Sequence, residues 1–286
     1  MPQGYSLNIG LNSVDPAHYA GWDGALVACE ADAEDMEVIA REKNFSTVRK
    51  VLTRDATRAR IKKEMDEAAR VLAPGDLFLL SYSGHGGQLP DKNNDETDAQ
   101  DETWVLYDGE LIDDEIYVAL SKLKPGVRVL MFSDSCHSGT VSKMAYAGLR
   151  STGSLEMLAD TVQDSVPEER RFKDMPVGIA LRTYRNNKSM YDAIMAELPK
   201  DDPKASLKAT VLLISGCQDN QLSSDGAFNG LFTANMLRVY NGGKFRGSHR
   251  TFHRRIVRRM PPLQSPNYSI VGVPSGEFER QTPFKV

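Results

Sequence analysis

Val127-Arg128-Val129-Leu130-Met131-Phe132-Ser133-Asp134-Ser135-Cys136-His137-Ser138-Gly139 decides the fold. The near-continuous apolar run from Val127 to Ser133 has the pattern of a parallel strand covered on both faces. Pro125-Gly126 marks the turn before it, and small polar residues follow. Working outward, Asp76 to Tyr82 is a second buried strand, entered through Pro74-Gly75 and leaving into Ser83-Gly84-His85-Gly86-Gly87. Tyr5 to Asn12 and Thr47 to Leu52 complete the early strands. Between them, Ala25 to Lys43 is predicted as a helix with Leu26, Val27, Met36, Val38 and Ile39 apolar, and Thr57 to Leu72 as a second, N-capped by Thr57. This alternation predicts an α/β fold with a mostly parallel central sheet and right-handed crossovers, extended by Thr210 to Ser215 and Tyr268 to Val273. At 286 residues the simplest organisation is a single domain over 1–286.

Two stretches break the alternation. Asp91 to Glu115 carries eleven carboxylates against one lysine, with a short hairpin around Trp104 to Ile112. Thr140 to Ser206 has weak periodicity and no obvious strand, and is expected to be a long surface excursion with helix near Met190 to Leu198.

Bulk properties exclude several classes. A net charge of −4 gives no drive toward nucleic acid or anionic lipid. No apolar run reaches membrane-spanning length and the N-terminal pattern is not that of a signal peptide, so a cytoplasmic protein is expected. Cys29, Cys136 and Cys217 are sparse and widely spaced, which favours free thiols over a disulfide framework or zinc ribbon.

Two predicted neighbouring strands therefore end in His85 and Cys136, at the sheet edge where open parallel sheets bind ligands. A thiol beside an imidazole is a nucleophile and base pair. Taken singly, His85 reads as a turn residue and Cys136 as an inert small hydrophobe, and matched strand ends shift the balance toward catalysis. A metal site of His85, Cys136 and His137 lacks a fourth ligand at familiar spacing. No G-x-S-x-G elbow occurs, so a serine esterase has no support. Asp134 and Ser83 each stand two residues before those side chains and, by strand parity, project to the same side; Asp32, early in the first helix, lies at the same edge. Two carboxylates and a hydroxyl form a socket for a cation, whose natural ligand is an Arg or Lys side chain before the scissile bond.

Tyr82-Ser83-Gly84-His85-Gly86-Gly87 with Asp134-Ser135-Cys136-His137-Ser138-Gly139 resembles the catalytic pair of the caspase-like peptidases, and specifically the metacaspases and their bacterial relatives, the orthocaspases. The fifty-one-residue separation of His85 and Cys136 suits the caspase spacing of about fifty. Further similar segments are Cys29-Glu30-Ala31-Asp32, Val105-Leu106-Tyr107-Asp108, Ile112-Asp113-Asp114-Glu115 and Leu213-Ile214-Ser215-Gly216-Cys217-Gln218-Asp219-Asn220-Gln221.

The resemblance implies a caspase-like three-layer fold and a cysteine endopeptidase cleaving after Arg or Lys. His85 and Cys136 are catalytic, Cys29, Asp32, Ser83 and Asp134 bind substrate, and backbone amides near Gly86 and Cys136 hold the oxyanion. No cofactor is required for that chemistry. Calcium as an activator is implied at Asp101, Asp113 and Asp114, where the fourth family position carries Lys143. The stretch Asp91 to Glu102 mimics EF-hand spacing but lacks its sixth-position glycine and flanking helices.

Arg150, Arg170, Arg171, Arg182, Arg185 and Lys188 in the excursion are sites for self-cleavage, and so basic a segment can also lie in the pocket and inhibit. Lys244 to Arg259, with Phe252, Ile256 and Val257 on one face, is expected to be the solvated side of a covering helix. Expected partners are protein or peptide substrates with Arg or Lys before the cut, with no nucleic acid and no membrane, and the chain is expected to be a monomer. The competing class is a catalytically silent caspase-like interaction module.

Overall fold

The computed structural model describes residues 1–90, 100–135, 172–216, 225, 229–262 and 264–286. Cys136, His137, Lys143, Arg150, Arg170, Arg171 and Cys217 lie outside the described residues, as does most of the 91–102 stretch.

A six-stranded sheet forms the centre. Its strands are β1 (Gly4–Gly10), β2 (Thr47–Leu52), β3 (Leu77–Ser83), β7 (Arg128–Asp134), β8 (Thr210–Ser215) and β9 (Asn267–Gly272), in the order β2-β1-β3-β7-β8-β9. All neighbours pair in parallel except β9, which runs antiparallel to β8 and closes one edge. Alternation along β3 and β7 sorts the core. Phe78, Leu80, Tyr82, Val129 and Met131 face one side with α2 (Arg58–Val71) and α3 (Asp113–Ser121). Leu77, Leu79, Leu130 and Phe132 face the other, against α1 (Cys29–Glu42), α6 (Leu231–Tyr240), α7 (His249–Val257) and α8 (Gly276–Arg280). Two buried faces on one sheet make the three layers expected of this α/β pattern.

Several boundaries differ from expectation. The first helix begins at Cys29 rather than Ala25, because the Asn12 side chain reaches over from the loop after β1 and accepts from the backbone N–H of Cys29 (2.9 Å) and Glu30 (3.3 Å). That cap comes from a residue distant in sequence. Leu26 is buried before the helix starts, and Val27 and Val38 are about half exposed. Thr57 caps α2 as expected, its side chain accepting from the Arg60 N–H.

A second, antiparallel sheet joins β4 (Gly86–Pro90), β5 (Gln100–Leu106) and β6 (Gly109–Ile112). The hairpin within it matches the expected turn region, whereas β4 is a strand the pattern did not predict. Gly86-Gly87 has little intrinsic strand preference, and pairing with β5 imposes the extended form. In the described part of the excursion, α4 (Val177–Asn186) precedes the anticipated helix, here α5 (Lys188–Glu197). The basic segment forms α7, with His249, Phe252 and Ile256 buried and Arg254 and Arg255 outward. Among the described residues no helix is long and apolar enough to cross a membrane.

Candidate active site

Register brings the candidate residues Ser83 and Asp134 to one rim. Ser83, the last residue of β3, pairs directly with Asp134, the last of β7, and Gly10 at the end of β1 pairs with Ser83 on the other side. His85 stands two residues beyond Ser83, and Cys136, outside the described residues, follows Asp134 by two in the chain.

His85 is held by its surroundings on every side. Tyr82 stacks on Trp104 at 4.5 Å, and its hydroxyl donates to the His85 carbonyl (2.6 Å) and to that of Val105 (3.1 Å). The imidazole packs at 4.7 Å from the Trp22 ring. Its Nε2 lies 3.0 Å from the Gly24 carbonyl, which can only accept, so Nε2 carries the hydrogen. Gly24 presents that carbonyl from a left-handed backbone, φ +57°, that glycine adopts without strain. Nδ1, buried and without a hydrogen-bond partner among the described residues, keeps its lone pair. Burial is the main force lowering the His85 pKa, to about 4, so the ring is neutral at pH 7 and competent to take a proton.

Asp32, Ser83 and Asp134 meet at this rim around a fourth side chain. Lys173 from the excursion inserts its ammonium, donating to Asp134 Oδ2 (2.8 Å), Ser83 Oγ (2.8 Å) and Asp32 Oδ2 (3.0 Å). Ser83 Oγ in turn donates to Asp32 Oδ2 at 2.7 Å. Lys173 is wholly buried, and Asp32 and Asp134 are nearly so. Burial alone would lower the lysine pKa, but the two carboxylates outweigh it and hold the ammonium charged. The backbone is engaged as well. Gly86 N–H donates to the Lys173 carbonyl at 3.0 Å, and Met175 N–H donates to the Gly86 carbonyl at 2.9 Å. Residues 173 to 175 thus lie beside Gly86 as a short parallel bridge.

The far wall of the socket comes from residues that the sequence pattern did not single out. Gly230 N–H (3.0 Å) and Asn229 Nδ2 (3.0 Å) donate to Asp32 Oδ1, and Thr233 Oγ1 donates to Asp134 Oδ2 at 3.1 Å. Gly230 has to be bare, since a Cβ there would stand 2.3 Å from Lys173 Nζ and 2.4 Å from Asp134 Oδ2. Cys29 lies buried at this edge, near Ser83 and Lys173, and burial pushes its thiol up to about 12, so it stays a neutral thiol.

Among the described residues no three His, Cys, Asp or Glu side chains group as a metal site, and Asp113 Oδ2 lies 3.5 Å from the Lys204 ammonium. The other described histidines make structural contacts: His18 pairs with the Tyr191 hydroxyl, and His249 and His253 with the carbonyls of Phe278 and Pro266.

The sheet order, its covering helices and the rim at the β3 and β7 ends define a caspase-fold α/β protein. Residues 14–277 match the family model described as Caspase domain, and the chain belongs to that family. Its curated relatives include Metacaspase-1A of Aspergillus fumigatus, 30% identical over 272 residues covering 82% of this chain and 62% of the relative. Another is Metacaspase-1A of Neurospora crassa, 35% identical over 156 residues covering 49% of this chain and 33% of the relative. The chain thus spans less than two thirds of these relatives' length. Among solved structures, a protein of Geobacter sulfurreducens is 53% identical, with a TM-score of 0.86 over 100% of this chain and 99% of the other. Caspase-1 from Spodoptera frugiperda shares the fold, with a TM-score of 0.52, 12% identity, and coverage of 94% of this chain and 86% of the other.

Proposed function

We propose that this chain is a cysteine endopeptidase that cleaves after Arg or Lys, and that it is held closed by its own Lys173 until it cuts itself there. The observation that carries this reading is the pose of Lys173: side chain in the Asp32, Ser83 and Asp134 socket, carbonyl on the Gly86 N–H. A residue bound in this way has the two features of a substrate residue before the scissile bond, a recognised side chain and a polarised carbonyl.

In the proposed cycle the Cys136 thiol gives its proton to His85 Nδ1 and its sulfur attacks the carbonyl carbon of the residue in the socket. The oxyanion is stabilised by the Gly86 N–H, and the imidazolium returns the proton to the leaving amine as the C–N bond breaks. Water then attacks the thioacyl-enzyme with His85 again as base, releasing a carboxylate and restoring the thiol. In the closed chain the first bond so placed is Lys173–Asp174. Its cleavage frees the lysine to leave and opens the socket to other chains. Calcium activation is retained from the family resemblance alone, and no step passes through it.

Hydrolysis of Arg and Lys aminocoumarin reporters, labelling by a thiol-reactive arginyl ketone, and the intact mass of the chain during incubation test the reading together. Wild type is expected to turn over both reporters, take one label and yield a fragment beginning at Asp174, and Cys136→Ala to do none of these. Wild type that stays uncut, unlabelled and inactive, with calcium or with chelator, would show a silent binding module instead.

A further inference from the structure

We infer that the enzyme reads its substrates on both sides of the cut, through a subsite that takes a long apolar side chain two residues after the scissile bond and in which Gly87 makes the room. The inference rests on the proposed function, because it takes its register from Lys173 as the residue before the cut. That register makes Asp174 the first residue after the bond and Met175 the second.

Met175 is anchored by main chain and side chain together. Its N–H donates to the Gly86 carbonyl at 2.9 Å, while the same glycine's N–H holds the Lys173 carbonyl at 3.0 Å. One residue of β4 therefore grips the chain on both sides of the bond, which is how an added strand is held. The Met175 side chain is buried in an apolar cluster with Val14, Tyr19 and Val105, and Trp22 packs against it. These residues come from the loop after β1 and from β5, outside the excursion, and remain to receive another chain once residue 175 withdraws. Ile179 and Ala180 of α4 complete the cluster in the closed chain.

Gly87 sets the depth. A Cβ at that position would lie 2.8 Å from Met175 Cε and 2.6 Å from Glu110 Oε2, so any side chain there would fill the subsite. Beside it, Glu110 is fully buried, accepts from Thr103 Oγ1 at 2.6 Å, and has its pKa raised to about 8, chiefly by burial. Glu110 is thus mostly protonated at pH 7, and the apolar lining of Val14, Tyr19 and Val105 suits an apolar guest and penalises a charged one.

Internally quenched peptides of the form Lys-Asp-X, with X as Met, Leu, Gly, Asp or Lys, test this beside a Lys aminocoumarin reporter that has no residue at X. Met and Leu peptides are expected to exceed Gly, Asp and Lys peptides in kcat/KM by on the order of tenfold or more, the scale of filling one apolar pocket. Normalised to each enzyme's own reporter turnover, Gly87→Ala should bring the Met to Gly ratio close to one. The same subsite is read within the chain by the rate of cleavage after Lys173, which Met175→Leu should preserve and Met175→Asp should slow at least tenfold. Equal rates for all X in peptides that are cut after Lys would overturn the subsite and leave the proposed function standing. Failure to cut any peptide or the reporter would overturn both.

Discussion

Lys173 lies with its ammonium 2.8 Å from the Asp134 carboxylate, both side chains closed to solvent and thirty-nine residues apart in the chain. A buried ion pair of this kind contributes little net stability while intact, since desolvation offsets attraction, but removing one partner strands the other. That asymmetry makes the socket discriminating. A guest without a cation leaves two buried carboxylates unpaired, and one with a cation satisfies both.

The socket's contribution to cleavage should be large. Asp134→Ala is expected to lower kcat/KM for Arg and Lys reporters by about 3 to 5 kcal/mol of transition-state binding, or between two and four powers of ten. Asp32→Ala should act in the same direction, because Asp32 also orients Ser83 and accepts from Asn229 and Gly230. Steady-state kinetics on the self-cleaved enzyme, with labelling of Cys136 to count intact sites, gives the measurement. Undiminished Arg turnover by Asp134→Ala would remove the socket from the specificity argument.

Emptying the socket in the uncut chain should cost stability. Lys173→Met leaves Asp32 and Asp134 facing each other without a cation, at an expected loss of about 3 to 5 kcal/mol in the Cys136→Ala background. Lys173→Arg restores the charge and should recover part of it, limited by the fit of the larger guanidinium. Urea midpoints of the three proteins at pH 7 provide the check. A Lys173→Met protein as stable as its parent would mean that the carboxylates find other partners.

How much of this was legible in the sequence depends on whether the cause was local. Ser83 and Asp134 could be placed because each ends a strand with clear apolar alternation, and parallel register carries both to one rim. Gly86 followed from its position after His85. Lys173 could not be placed, because Phe172-Lys173-Asp174-Met175-Pro176 has no periodicity and its position is decided by a socket assembled from four other segments. Gly230 and Thr233 escaped for the same reason, as did the capping of α1 by Asn12. A lysine followed three residues later by proline in a strand-poor excursion was the one available signal, and it is a weak one.

Burial of neutral His85 gives a pH signature. Its pKa is about 4 in the fold against an ordinary 6.5, so between those values the unfolded chain binds more protons. The stabilising contribution is present above pH 6.5 and is lost as pH falls through 4. The full difference corresponds to about 3 kcal/mol. His249, lowered to about 4 mainly by burial, acts in the same direction. The difference in unfolding free energy between wild type and His85→Asn isolates the first residue. It should shrink by roughly that amount between pH 7 and pH 4, and an unchanging difference would mean that the ring is not buried in its neutral form.

Glu110 should show the opposite slope. Burial is the chief cause of its raised pKa, about 8 against an ordinary 4.5, so the folded chain holds a proton that the unfolded chain has released. Its contribution is fully present below pH 4.5 and is lost as pH rises through 8. Folding at pH 7 therefore includes the work of protonating this carboxyl, on the order of 3 kcal/mol. Glu110→Gln removes that work while leaving a carbonyl to accept from Thr103 Oγ1. The variant should equal wild type near pH 4.5 and exceed it by about 3 kcal/mol at pH 7 and about 4 kcal/mol at pH 8, less whatever the amide loses at the position where Oε1 has no partner among the described residues. Urea unfolding of both proteins across that range measures the gap, and one that fails to widen with pH would mean that Glu110 is ionised in the fold, with a charge rather than a neutral acid lying beside Gly87.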